Sequence, residues 1–228
     1  MIVRVRDRFE DAPDEALNEV LRTLRRLEDA TIPGVIELVP AYTTVAVFFD
    51  PMVVANAGPK SDQALDWLTE RVRAVVAGVG DPGGAEVFPA RVIEIPVCYD
   101  SEFALDLAHV ARHAKISAGE VVDLHGAADY RVNCIGFTPG FPFLTGLPKT
   151  LATPRRATPR KEIPAGSVGI GGAQTGIYPL RSPGGWNLIG RTPFRLFDPA
   201  RNPPVLLSAG DRVRFRAITR EEFAATQR

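Results

Sequence analysis

Cysteine is nearly missing from this chain: only Cys98 and Cys134 occur in 228 residues. Two thiols so far apart support neither a disulfide framework nor a four-ligand zinc site, and they fit a reduced, cytoplasmic compartment. Long apolar runs are missing too. No stretch of 18 apolar residues exists and no charged-then-apolar leader opens the sequence, so neither a membrane span nor a secretory signal is expected. There is no net charge, with 27 Lys and Arg against 27 Asp and Glu. That balance argues against general nucleic-acid binding, which needs a basic domain. Internal repeats and low-complexity linkers are also lacking. What is present is 45% hydrophobic content, enough for the core of one large domain or two small ones.

The first ninety residues read as a small α/β unit. Ile2–Arg6 alternates like a strand, and Leu17, Val20, Leu21, Leu24 and Leu27 follow Pro13 at helical spacing, with Asp14 and Glu15 in the first turn. Val35–Val39 and Thr43–Phe49 are β-branched, apolar runs separated by Pro40-Ala41-Tyr42. Ser61 and Asp62 open a second helix with Leu65, Leu68, Val72, Val75 and Val76 on one face. Asp81-Pro82-Gly83-Gly84 closes it, and Glu86–Val97 reads as another strand. The order β-α-β-β-α-β is that of a ferredoxin-like sandwich. The predicted class is therefore α+β, with an N-terminal ferredoxin-like α/β domain over residues 1–88 and a second domain over residues 89–228.

After Pro96 the texture changes. Phe103–Ala114 is helical in pattern, and Ser117-Ala118-Gly119-Glu120 signals a capping box for a short helix ending near His125. From Tyr130 onward no helix-length periodicity remains. Short apolar runs separated by Gly and Pro turns predict a closed β-barrel or sandwich.

Residues 136–192 are the densest segment. They hold 11 Gly and 8 Pro, a third of the segment, and a net charge of +6 that leaves the remainder at −6. Ordinary usage of Gly plus Pro is about 12%. Threaded with Ile, Val, Leu, Phe and Trp, such density suits tight turns in packed β structure, and a rigid cationic surface suits a carboxylate or phosphate. Arg155 and Arg160 each end a Thr-Pro-Arg triplet, so proline-stiffened backbone presents two guanidinium forks suited to bidentate anion recognition. The plain alternative is a salt bridge, which is preferred for Arg156 and Lys161. Gln174, Tyr178 and Ser182 offer neutral donors and acceptors that can orient a substrate, and Trp186 is either core or an aromatic wall.

Other chemistries find less support. Gly166-Ser167-Val168-Gly169-Ile170-Gly171-Gly172 is glycine-rich, yet no Gly-Lys-Ser/Thr follows it. It reads first as a barrel turn with glycines at positive φ, and otherwise as backbone amides touching a substrate, Gly172 among them. His109 and His113 stand four apart but lack further ligands, so no metal is expected on this chain alone. His125 is either a helix C-terminal cap or a proton-transfer residue. Ser167 and Ser182 lack a nucleophile context, and both cysteines read as small hydrophobes.

GFTPGFPFLTGL, ATPRRATPRKEIPAGSVGIGGAQTGIYP and SPGGWNLIGRTP resemble the signature runs of a family that includes the B-type component of bacterial ATP-dependent 5-oxoprolinase. The family also includes allophanate hydrolase subunit 1 and the Kip protein that inhibits a sporulation histidine kinase. It is similar to half of the carboxyltransferase domain of urea carboxylase. Likeness is densest over 120–199 and continues back to Pro33, whereas the start departs from the pattern as though a first strand were absent. The resemblance implies a cyclophilin-like barrel for residues 89–228. It further implies conversion of 5-oxoproline, ATP and water to glutamate, ADP and phosphate with A-type and C-type partner subunits, ATP being shared with those partners. Alternatives are a carboxyltransferase-type subunit acting on a urea-like substrate, or docking to a histidine kinase as an inhibitor. The candidates are thus His125, Arg155, Arg160 and Tyr178 for catalysis, and Gln174, Ser182, Trp186 and Gly172 for a small carboxylate substrate.

Overall fold

The stripe of Leu17, Val20 and Leu27 is buried on one face of helix α1 (Pro13–Asp29), whose start is set by Pro13 and an acidic first turn. The computed structural model describes residues 1–9, 11–57, 63–78 and 90–226, which fall into two units, Met1–Pro89 and Ala90–Arg228. In the first unit, α1 lies with α2 (Pro51–Ala57) and α3 (Ala64–Val76) beside an antiparallel sheet. That sheet consists of β1 (Ile2–Arg4), β2 (Val35–Ala41) and β3 (Thr44–Phe49) in the order β1-β3-β2. Pro40 lies within β2 rather than in the turn, and an edge strand accommodates the missing donor.

Three expectations shift here. Helix α2 has no apolar periodicity to announce it, but Asp50 caps it, its carboxylate accepting from the Met52 and Val53 amides at 2.8 and 3.2 Å. Leu65 is exposed on α3, which buries Leu68 and Val72 instead. Ser61, Asp62 and the 81–84 turn lie outside the described residues. The expected strand over 86–97 is described as β4 (Val92–Cys98), and it belongs to the second unit, not to the first sheet. Its C-terminal half is buried on both faces, unlike β12 beside it, which alternates exposed and buried residues.

The second unit is a closed barrel of seven strands in the order β11-β4-β12-β5-β6-β9-β8, sealed by β8 on β11. The strands are β5 (Tyr130–Ile135), β6 (Pro142–Thr145), β8 (Ser167–Gly171), β9 (Gln174–Ile177), β11 (Asn187–Arg191) and β12 (Arg212–Ile218), together with β4. β4 and β12 run parallel in unbroken register from Val92↔Arg212 to Cys98↔Ile218. Ile95, Val97, Val132, Leu144, Val168, Ile170, Ile177, Ile189, Val213 and Phe215 fill the interior. A separate ribbon pairs β7 (Arg160–Ile163) with β10 (Ser182–Gly184). Helix α4 (Leu107–Ala114) starts later than its pattern suggests, while α5 (Ala118–Ala127) carries the expected Ser117–Glu120 capping box and runs two residues past His125. The molecule is of mixed α+β class. Among the described residues no helix is long and apolar enough to cross a membrane.

Candidate functional site

The glycine-rich run is a strand, not a turn. Ser167–Gly171 is buried along its whole length as β8, and only the flanking Gly166 and Gly172 have positive φ. The inner glycines answer to packing. A Cβ at Gly171 would stand 2.6 Å from the Trp186 indole, and one at Gly176 would meet Phe141 and Trp186 at 3.0 Å. Two glycines on adjacent strands thus make a flat bed for the ring, which Phe141 and Phe143 meet edge-on at 5.5 and 6.0 Å. Trp186 is accordingly core, with 5% of its surface exposed.

Arg155 lies over that ring, its guanidinium carbon 5.8 Å from the ring centre. Its backbone is held on both sides. Thr153 and Gly172 exchange hydrogen bonds of 3.1 and 2.8 Å, the Asn187 amide donates to the Pro154 carbonyl at 2.9 Å, and the Arg156 N–H donates to Gly185 at 2.8 Å. Arg155 has no carboxylate partner among the described residues. It is a fixed, exposed cation.

Arg160 has a different fate. Its two terminal nitrogens fork onto Asp106 at 2.8 and 2.9 Å, and Arg156 adds a third contact at 2.8 Å. Asp106 sits at the start of α4 but does not cap it; its carboxylate instead accepts from the Leu188 amide at 2.8 Å. Burial alone would raise this carboxyl, yet the hydrogen bonds from Arg160 and Leu188 and the charges of Arg160 and Arg156 prevail and hold it below the ordinary range. Asp106 escapes a sequence reading because its arginine partners lie 50 and 54 residues away.

Tyr178 packs among Phe141, Ile163, Trp186 and Leu188. Burial raises its hydroxyl, while a hydrogen bond from the Trp186 backbone and the nearby charges of Arg155 and Arg160 oppose the rise. Gly184 must lack a side chain, since a Cβ there would run into the Tyr178 hydroxyl and Ile163. Ser182 stands opposite Ile163 on the ribbon, and its buried hydroxyl has no hydrogen-bond partner. Gly172 borders open space, and Gln174 pairs with Gly171 across the β8–β9 hairpin. The structure brings Arg155, Arg160, Tyr178 and Trp186 near one another, through the Arg155–Trp186 contact, the packing of Tyr178 with Trp186 and the two arginine charges beside the Tyr178 hydroxyl.

His125 is not among them. It is fully buried within the barrel, stacked on Phe215 at 4.5 Å. Its Nε2 contacts the Thr175 hydroxyl at 3.1 Å, and that hydroxyl donates to the Gly169 carbonyl at 3.0 Å. Nε2 therefore carries the proton, and Nδ1 accepts from the Tyr99 hydroxyl at 2.8 Å. Desolvation lowers its pKa to about 3, so the ring is neutral and both nitrogens are engaged. Tyr99 and Tyr130 beside it are pushed above the ordinary tyrosine range, chiefly by burial. Among the described residues, no group of three or more His, Cys, Asp or Glu is placed to hold a metal.

Phe137 is the second residue that sequence reasoning passed over. It is 63% exposed at φ +65°, a backbone region costly for a bulky side chain. Hydrogen bonds from Thr138 N–H to Gly136, Phe141 N–H to Thr138 and Gly136 N–H to Phe141, at 2.7, 3.0 and 3.1 Å, hold the loop shut. The ring stands edge-on to Phe141 and Tyr178 at 5.5 and 6.5 Å. Two aromatics flanking Thr-Pro-Gly were the available signal.

The second unit is thus a closed β-barrel with an appended two-stranded ribbon and an exposed arginine lying over the Trp186 ring. Comparison with known proteins gives the particular family. Residues 1–207 match the family model described as carboxyltransferase domain, subdomain C and D, and the chain belongs to that family. It is 42% identical over 220 residues to the B-type component of 5-oxoprolinase from Bacillus subtilis, covering 96% of this chain and 90% of that protein. It is 47% identical over 196 residues to the protein of the same name from Escherichia coli O157:H7, covering 86% and 83%. A longer chain of known crystal structure is 38% identical with a TM-score of 0.76. The present chain is covered over 96% of its length and spans 39% of that longer one.

Proposed function

We propose that this chain is the B-type component of an ATP-dependent 5-oxoprolinase, a cytoplasmic assembly with A-type and C-type partners that opens 5-oxoproline to glutamate. The observation that carries this reading is the 42–47% identity to two proteins so named, over most of their lengths. The clamped Arg155 supports it, because the substrate is a small carboxylate and a fixed guanidinium is suited to anchoring one. The lactam is a stable amide. Transfer of the ATP γ-phosphoryl group to its carbonyl oxygen, with release of ADP, activates the carbon. A first water adds there, cleavage of the C–N bond with a proton moved to nitrogen opens the ring to an acyl phosphate, and a second water displaces phosphate to leave the glutamate carboxylate.

In this reading Arg155 binds the substrate carboxylate, while Tyr178, Ser182 and Gln174 orient the ring and Gly172, its backbone committed to Thr153, leaves open space for it. Arg160 shapes the site through Asp106, Trp186 supports Arg155, and His125 keeps the barrel interior in register. The nucleotide belongs to the partners. The amides of β8 are committed to β9 and β11 on either side, which leaves no phosphate cradle in the glycine-rich run. Purified alone, the chain should show no 5-oxoproline-dependent ATP hydrolysis, and mixing with the A-type and C-type subunits should restore it. Turnover by the isolated chain would overthrow the shared-site reading.

A further inference from the structure

Three arginines crowd one short stretch, Arg155, Arg156 and Arg160, and a single buried carboxylate holds two of them. Asp106, 4% exposed, is anchored to β11 twice: its N–H donates to the Leu188 carbonyl and its Oδ2 accepts from the Leu188 amide, both at 2.8 Å. Oδ2 also accepts from Arg160 at 2.8 Å, while Oδ1 accepts from Arg156 and Arg160 at 2.8 and 2.9 Å. An ionised carboxylate has about four lone-pair sites, and all of them are taken. At the start of a helix such a side chain ordinarily caps the first turn, yet this one makes no capping bond to α4. Its bonding capacity goes to the arginines and to the strand. The two forks so held are within reach of solvent, since the Arg156 and Arg160 side chains keep 36% and 21% of their surface exposed. Arg155 and Arg160 both act on the Tyr178 hydroxyl, so the open guanidinium and a held one border the same group.

We infer that Asp106 is a specificity-determining residue: by occupying the forks of Arg156 and Arg160 it leaves Arg155, alone of the three, open to a ligand, so that the site takes one carboxylate and gains nothing from a second. The inference rests on the functional reading above, which makes Arg155 the anchor of the substrate. It bears on turnover. 5-Oxoproline carries one carboxylate, and ring opening creates another at the former lactam carbon. Glutamate therefore presents two, and an open fork beside Arg155 would hold the product through a charged, bidentate pair. A product held in that way is slow to leave. The forks of Arg156 and Arg160 are not free to do so, because releasing them would leave the buried Asp106 carboxylate without its charge partners. The new carboxylate finds no fork there, and the product departs.

Two acids of equal length supply the test, glutarate with two carboxylates and pentanoate with one, each measured as a competitor of 5-oxoproline in the assembled complex. In the wild type their inhibition constants should agree within about threefold, since a carboxylate that meets no free fork adds little. Asp106→Asn keeps the shape of the side chain and an acceptor for the Leu188 amide, but gives up the charge that holds the guanidinium groups. In that variant glutarate should bind at least about 10-fold more tightly than pentanoate, the worth of one charged hydrogen bond. Adding Arg160→Gln to it should bring the two acids back toward parity, which a merely structural loss would not do. A wild-type complex that binds glutarate about 10-fold more tightly than pentanoate overturns the inference, and that measurement needs no variant to fold. A folded Asp106→Asn complex in which the two acids still match overturns it as well. In both cases 5-oxoproline-dependent turnover by the wild-type complex leaves the functional reading standing. An assembled wild-type complex without that turnover overturns both.

Discussion

Arg155 and Arg160 look alike in sequence, each closing a Thr-Pro-Arg triplet, and the fold makes them different. Arg160 is held by a buried carboxylate and Arg155 is not. Their alanine variants should therefore fail differently. Arg155→Ala should leave the melting temperature nearly unchanged and lower kcat/KM of the assembled complex by about 1.5–3 kcal/mol of transition-state free energy, the scale of a charged hydrogen bond. Arg160→Ala should lower stability itself by roughly 1–3 kcal/mol, because it strips Asp106 of two of its donors. Equal melting temperatures for the two would contradict this division. His125 adds a pH signature. Its folded pKa is depressed to about 3 against an ordinary 6.5, so the unfolded chain binds the proton first, and stability falls as pH drops from about 6.5 toward 3. Denaturant titrations at pH 7 and pH 5 should show that loss, with a smaller slope in His125→Gln. None of this was readable from the motif, which shows residue types but not which donor has already been taken.

The helices and strands were legible to the extent that their signals are local. The α1 stripe and the Ser117–Glu120 box sit within a few residues of what they control, and both elements form where the pattern places them. Helix α2 rests on one cap and one proline, too little for periodicity to detect. The 166–172 run reads as a turn because glycine frequency cannot distinguish positive φ from a close approach. In β8 the second reason holds, and the Trp186 ring is what approaches. Gly171→Ala therefore tests the element's packing. It should destabilise the chain by roughly 1–3 kcal/mol through overpacking, and tryptophan fluorescence should shift as the indole leaves its bed. A neutral effect on both would mean that the ring has room to move.

At the scale of the whole molecule, the least legible fact is which unit owns β4. Its sequence neighbours suggest the first sheet, whereas its hydrogen bonds go to β11 and β12. Long-range pairing carries no local mark. If the units are cores in their own right, as we propose, residues 90–228 expressed alone should unfold cooperatively and retain near-ultraviolet dichroism from the buried Tyr130, Tyr178 and Trp186. A non-cooperative melt would show that the barrel depends on the first unit. The β4–β12 pairing also bears on how the protein comes into being. Glu94 and Arg216, joined diagonally across that seam by a hydrogen bond from the Arg216 guanidinium, are separated by 122 residues. Throughout synthesis of the intervening chain, β4 has an open edge where β12 will lie, and β12 is the last barrel strand to leave the ribosome. Closure is thus a late, high-contact-order event, and until it occurs the nascent barrel exposes a hydrogen-bonding edge to any other strand nearby. Yield on the ribosome, rather than stability once folded, is where substitutions in Arg212–Ile218 should be felt most.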